Sequence, residues 1–142
     1  MLETAMNIFP EGADAWARGD AAEFDRLFED NPSSWSTTRR WFHDDLRYTF
    51  CVDSAYEAFK ICEAMTLGNG VAQKIRMSAF IAEATEDMFF EGQPARVVEA
   101  IGSNATLNSF GVELGGHLHC QVGAFVYLNQ EMLEWLAGVV GH

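Results

Sequence analysis

The sequence predicts a mainly α protein: a compact bundle of about five to six helices in a single globular domain covering residues 1–142. Apolar residues recur every three or four positions along most of the chain, which is the spacing of an amphipathic helix. Glycine and proline stand where these periodic stretches stop. With 142 residues in all, two domains would each be too small to bury a good core.

The clearest predicted helix covers residues 13–30, where large apolar side chains share one face. Pro32 marks its end, because proline lacks a backbone N–H and disfavours helical conformation in the residue before it. A second helix is predicted from a cap at Ser33 or Ser34 to about residue 50.

Three further helices are predicted downstream, each bounded by a capping residue, a glycine or a proline. They cover residues 55–67, 71–90 and 94–101. Asp53 or Ser54 would cap the first of them. The helix over 71–90 is apolar on two adjoining stripes, which predicts a central helix packed against several neighbours.

The C-terminal forty residues fit two templates. Apolar residues from Leu107 to Trp135 recur at helical spacing, which favours helix with a break near Gly115-Gly116 or Asn129. The alternative is an α+β protein with a C-terminal hairpin around residues 110–128. Helix is preferred, because the hairpin would place histidines opposite apolar side chains on one face.

Charge gives the main indication of function. The formal net charge is −12, and residues 1–30 hold eight acids against two arginines. Such a surface repels phosphate backbones, so we expect no direct nucleic-acid binding and favour a protein partner with a basic surface. Trp41 lies among charged residues, and exposed tryptophans are enriched at binding hot spots. The predicted partner-binding residues are Asp14, Asp20, Glu23, Asp25, Glu29, Asp30 and Trp41.

Arg39, His43 and Arg47 form a cationic line, because residues four apart lie on the same face of a helix. The preferred interpretation is an internal clasp with the acids of the preceding helix, Asp25, Glu29 and Asp30. The alternative is an anion-binding site for a carboxylate or phosphate group, which guanidinium groups bind in bidentate fashion.

The sequence contains only weak indications of metal binding or nucleophilic catalysis. His117, His119 and Cys120 lie close in sequence, but on a helix the two histidines diverge and could not share a metal ion. Cys120 beside His119 lacks the further groups of a nucleophilic site. We expect no metal, no cofactor and no catalytic residues. The three cysteines include no CxxC pair and are expected to be buried thiols.

We predict a small acidic protein-binding module of the inhibitor or immunity type, related to phage or bacterial defence, which blocks a basic, nucleic-acid-handling protein. One alternative is a small anionic-ligand-binding protein or enzyme that uses the Arg39, His43 and Arg47 face. A second is an oligomeric structural or assembly protein, hence a homo-oligomer. Lacking an export signal or a membrane span, the chain is expected in the cytoplasm.

Overall fold

The computed structural model describes residues 2–141, and the protein is mainly α with a small two-stranded parallel sheet. Its helices are α1 (Leu2–Ile8), α2 (Ala13–Arg18), α3 (Ala21–Glu29), α4 (Thr37–Phe50), α5 (Ala55–Ala64), α6 (Gln93–Ile101) and α7 (Phe125–Val140). The strands are β1 (Ala79–Ala84) and β2 (Ala105–Phe110). Internal contacts divide the chain into unit 1 (Met1–Thr66) and unit 2 (Leu67–His142). The expectation of a single domain stays a prediction.

The helix expected over residues 13–30 is two helices, α2 and α3. Gly19 adopts a left-handed conformation (φ 71°) that ends α2, a backbone state that glycine enters without steric cost. Asp20 then caps α3 by accepting a hydrogen bond from the Glu23 N–H at 3.1 Å. Apolar residues keep their helical spacing across Gly19 and Asp20. The spacing alone therefore does not show that one helix ends and another begins there.

Serine caps start both α4 and α5. Ser36 accepts from the Arg39 N–H at 3.1 Å, while Ser33 and Ser34 lie in a 3-10 turn, so the cap predicted at those two serines is wrong. The predicted cap at Ser54 is confirmed, with the Glu57 N–H 3.2 Å from its hydroxyl. Each cap satisfies an N–H that has no partner within its own helix.

Unit 1 is built around phenylalanine. Phe9, Phe24, Phe28 and Phe59 are at most 2% exposed and pack against each other. Phe24 sits 5.2 Å from Phe9 and 5.0 Å from Phe59 between ring centroids, both in edge-to-face geometry. Aromatic pairs prefer this arrangement because a positive ring edge meets a negative ring face. The rings come from α3, α5 and the segment after α1, which ties these elements together.

Unit 2 contains a β1–α6–β2 arrangement in which the strands pair in parallel from Ala79↔Ala105 to Ala84↔Phe110. The helix predicted over residues 71–90 is therefore wrong. This stretch is rich in alanine and its apolar spacing satisfies a helix, but the backbone of β1 bonds to a strand about 26 residues away in sequence. The predicted helix over 94–101 is confirmed as α6, which ends at Gly102.

The small sheet is consistent with the α+β alternative, but its strands pair in parallel and are not the predicted hairpin, and the helix predicted from Leu107 begins in β2. Neither pattern describes the stretch between β2 and α7. The structure describes all of residues 110–128 and has no hairpin there; 3-10 turns at Val112–Leu114 and His119–Gln121 take its place. Gly115 follows the first 3-10 turn with φ 71°. This left-handed conformation interrupts a helix, and the residues on either side of it do not pair as strands. The helical prediction is confirmed from residue 125 onward, as α7.

All three cysteines are free thiols. Cys62 is buried, as expected, and burial raises the pKa of its thiol. Cys51 and Cys120 were also expected to be buried, but both are exposed. Within residues 2–141, every helix falls short of the length and apolar content that a membrane span requires.

Candidate functional site

Arg39 is directed into unit 1. Its Nη2 donates to the carbonyl oxygens of Leu27 (3.2 Å) and Phe28 (3.3 Å), and its guanidinium lies 4.8 Å from the centre of the Phe9 ring. The side chain is only 14% exposed. These carbonyls belong to the last turn of α3, where the helix dipole favours positive charge, and the Leu27 carbonyl also accepts from the Asp30 N–H at 3.2 Å. Arg39 thus holds α4 against the end of α3.

His43 and Arg47 converge on Glu29. His43 Nε2 lies 3.1 Å from Glu29 Oε1, and Arg47 Nη2 contacts the same oxygen. The predicted clasp between α4 and α3 is confirmed at this carboxylate. Its other three expected members lie outside it. Arg39 contacts the Glu11 carboxylate at 3.5 Å instead, Asp25 binds at the start of α5, and the Asp30 backbone carbonyl accepts from Trp35 Nε1 at 2.9 Å.

Asp25 links α3 to the start of α5. One carboxylate oxygen accepts from the Ser54 hydroxyl at 2.7 Å, and the other accepts from the Tyr56 N–H at 2.8 Å. Both donors lie at a helix N-terminus, where a carboxylate is favoured by the helix dipole. This role was not predicted, because Ser54 and Tyr56 lie 29 and 31 residues further along the chain.

The remaining predicted acids face solvent to differing degrees. Glu23 pairs with Arg26 at 2.8 Å, and this hydrogen bond lowers the pKa of the glutamate. Asp14, Asp20 and Asp30 are exposed, and the salt bridges among the described residues involve other carboxylates. Trp41 is 51% exposed, as predicted, while the other tryptophans are half-buried. Of the predicted partner-binding residues, Asp14, Asp20, Asp30 and Trp41 are thus exposed to solvent and take part in none of these salt bridges.

A separate cluster in unit 2 joins Asp87 to His119. Asp87 accepts from the backbone N–H groups of Phe89 (2.8 Å) and Phe90 (3.1 Å), and its Oδ2 lies 2.9 Å from His119 Nδ1. Burial alone would raise the pKa of Asp87, but these hydrogen bonds outweigh it and the pKa lies below its ordinary value. The cluster ties the segment after β1 to the 3-10 turn at His119–Gln121.

The same turn contains His119 and Cys120, which the sequence suggested, weakly, for a metal site and for a nucleophilic cysteine. Cys120 adopts φ 56°, an uncommon conformation for a residue other than glycine, and its side chain is exposed. Among residues 2–141, no three histidine, cysteine or acidic side chains are grouped as metal ligands. The polar contact that the structure shows at this turn is the one between Asp87 and His119, which links the turn to the segment after β1.

Helix α7 presents a second surface, which was not predicted from the sequence. One side packs on unit 2: the Trp135 ring lies 5.5 Å from Phe80, and the Tyr127 ring 5.6 Å from Phe110. The opposite side is exposed and, apart from Asn129, apolar, and α7 has no buried residue. We name it the α7 face; its members are Phe125, Val126, Met132, Leu133, Leu136 and Val139.

A groove of about 480 Å³ adjoins the α7 face at the start of the helix. Leu114, Phe125 and Val126 give it apolar walls, and Tyr127 and Gln130 contribute polar groups. The pKa of Tyr127 is raised by a hydrogen bond to Glu131, by burial and by the negative charges of three nearby carboxylates, Glu131, Glu134 and Glu113. An acidic rim thus borders the apolar groove.

No family model, curated protein or solved structure matches this chain. Its class is therefore defined by its physical properties. It is an acidic, mainly α protein with exposed carboxylates in unit 1 and an exposed apolar helix in unit 2.

Proposed function

We propose that the protein is a small acidic protein-binding module that blocks a basic, nucleic-acid-handling protein, as an inhibitor or immunity-type protein does. The supporting observation is that Asp14, Asp20 and Asp30 are exposed outside the internal salt bridges of unit 1. Long-range attraction between an acidic surface and a basic partner accelerates their encounter and disfavours partners of like charge.

The internal use of Arg39, His43 and Arg47 makes the anionic-ligand alternative less favourable. Arg39 binds carbonyl oxygens, and the other two side chains bind Glu29. An anion would have to displace these contacts before it could bind the terminal guanidinium nitrogens, and it would be repelled by the Glu29 carboxylate beside them. We therefore favour binding of a partner over binding of a small anion.

The test compares two triple variants of equal net charge, −9. Asp14→Asn, Asp20→Asn and Asp30→Asn neutralise the open acids of unit 1, and asparagine keeps the helix cap at position 20. The control set neutralises three exposed glutamates of unit 2, Glu86→Gln, Glu91→Gln and Glu99→Gln. The probe is poly-L-lysine, and stopped-flow fluorescence measures its association rate with each full-length variant.

We expect association of the unmodified protein to slow at least about tenfold as the salt concentration rises from about 0.01 to 0.15 M, because the Debye length shortens. The unit 1 variant should associate about threefold more slowly than the control variant at low salt. Equal rates for the two variants would refute recognition by these aspartates. Rates that are insensitive to salt would refute electrostatic steering altogether.

The partner itself is sought by affinity capture from a native lysate at low and at high salt. We expect a basic protein that is retained at low salt and released at high salt. Its association rate should then rank the two triple variants in the same order as poly-L-lysine does. A partner that retains its affinity for the unit 1 variant would contradict the proposal.

A further inference from the structure

The α7 face is an apolar surface of the kind that other protein covers. Val126 is 85% exposed, Leu133 59% and Phe125 55%. A surface helix of a globular protein normally carries polar residues on the side away from its core, whereas a helix that is apolar all round is buried. Because contiguous exposed apolar surface is rare on monomers, it marks a site of interaction.

The negative charges near the groove restrict which kind of molecule could bind to the α7 face. Glu113, Glu131 and Glu134 surround Tyr127 beside the groove, and no lysine or arginine follows Arg96 in the chain. The charged groups at the Tyr127 edge of the groove are therefore all negative, and the same groove is lined by Phe125 and Val126 of the α7 face. A complementary occupant carries apolar residues flanked by positive charge.

We infer that the α7 face and its groove form a docking site for an amphipathic helix of a partner protein, with lysine or arginine residues beside its apolar stripe. This inference rests on the proposed function, which supplies the basic character of the partner. Apolar side chains of the partner helix pack on Val126 and Leu133, and one of them enters the groove. Its cations lie against the glutamate rim, in the manner of amphipathic helices bound in hydrophobic grooves.

Two other occupants fit the charges less well. A second copy of this chain in a two-fold dimer would present the same surface, so glutamates would face glutamates with no cation from residues 97–142 to compensate. An anionic bilayer surface would likewise be repelled by the glutamate rim. Charge complementarity therefore favours the basic helix over both.

The experiment measures binding of the full chain to two synthetic peptides by fluorescence anisotropy. One peptide is a leucine–lysine helix with leucines at i, i+3, i+4 and i+7, and the other has the same composition in scrambled order. The test variant is Val126→Gln with Leu133→Gln. Its matched control is Met77→Gln with Met88→Gln, two apolar residues of unit 2 that are each 73% exposed.

We expect the amphipathic peptide to bind at least about tenfold more tightly than the scrambled one, and the Val126/Leu133 variant to lose about tenfold in affinity. The Met77/Met88 variant should bind like the unmodified protein. Equal affinity for the two peptides, or equal loss in the two double variants, would overturn the docking site. All of these substitutions are at exposed positions, and circular dichroism checks that the helices persist.

The variants separate this inference from the proposed function. If the Asp14/Asp20/Asp30 variant loses its association with poly-L-lysine while the Val126/Leu133 variant binds the amphipathic peptide normally, the docking site fails and the proposed function stands. The reverse result supports the docking site and refutes recognition through the unit 1 aspartates.

Two further measurements would overturn the choice of occupant. The first is sedimentation that shows a dimer of the unmodified protein which the Val126/Leu133 variant dissociates. The second is binding to phosphatidylcholine–phosphatidylserine vesicles that the same variant abolishes.

Discussion

The two units differ in how far their large apolar side chains are buried. Unit 1 encloses four phenylalanine rings that are at most 2% exposed, whereas unit 2 ends in a 16-residue helix without a buried residue. Both units are acidic, with net charges of −7 for unit 1 and −5 for unit 2 from the residues within each. The contrast is that unit 1 buries its phenylalanine rings, whereas unit 2 leaves apolar side chains of its last helix exposed, which is the surface we propose a partner covers.

The largest expected effect tests the phenylalanine core. Phe24→Ala should lower the free energy of unfolding by about 4 kcal/mol, because it removes a fully buried ring and leaves a cavity among its neighbours. Val126→Gln should change it by less than about 0.5 kcal/mol, since that side chain is exposed. Urea denaturation of the full chain measures both. A cost above 2 kcal/mol for Val126→Gln would show that the α7 face is covered within the chain itself.

A smaller effect distinguishes two adjacent arginines of α4. Arg39→Met should cost about 2–3 kcal/mol, because two carbonyl oxygens at the end of α3 lose their charged donor. Arg40→Met is the control: its single bond to the Pro32 carbonyl lies at the surface and should be worth less than about 1 kcal/mol. Hydrogen exchange resolved by mass spectrometry should show the loss in amides of unit 1. Equal costs for the two variants would mean that Arg39 does not hold α3 and α4 together.

The smallest effect concerns unit 2 and depends on pH. The pKa of Asp87 lies below its ordinary value in the folded protein, so its carboxylate stabilises the fold above the unfolded pKa, and this stability is lost as the pH falls through the folded value. Asp87→Asn should therefore cost about 1–2 kcal/mol at pH 7 and progressively less below about pH 4.

Unfolding midpoints measured across this pH range check the expectation for Asp87. The control is Glu86→Gln, an exposed neighbour that should show no such trend. A cost for Asp87→Asn that stays constant down to pH 2 would contradict the role of its charge. It would leave the replacement of an acceptor oxygen by an amide NH2 group, and not the lost charge, as the cause.

Local signals predicted the elements that depend on local interactions. The Ser54 cap and the stop at Gly102 were correctly placed, because each depends on residues within one helical turn. The clasp of His43 and Arg47 with Glu29 was also predicted, since a short connection brings α3 and α4 together as neighbours. The exposure of Trp41 followed from its charged sequence neighbours.

Elements that depend on distant partners were not predicted. The stretch Ala79–Ala84 has helical spacing and helix-forming alanines, yet it pairs with Ala105–Phe110 as a parallel strand. Asp25 looked like a surface acid in the sequence, but its carboxylate receives two hydrogen bonds from the start of α5. In both cases the deciding group lies more than 25 residues away in the chain.

By itself, the sequence determined the acidic charge, the mainly α character and the ends of the well-capped helices, because these follow from composition and from contacts within a few residues. Only the tertiary structure decided which acids hold helices together, where a strand replaces a helix, and which side of α7 stays uncovered. The physical reason is that burial and hydrogen-bond partners belong to positions in space, and one periodic pattern is compatible with several such arrangements.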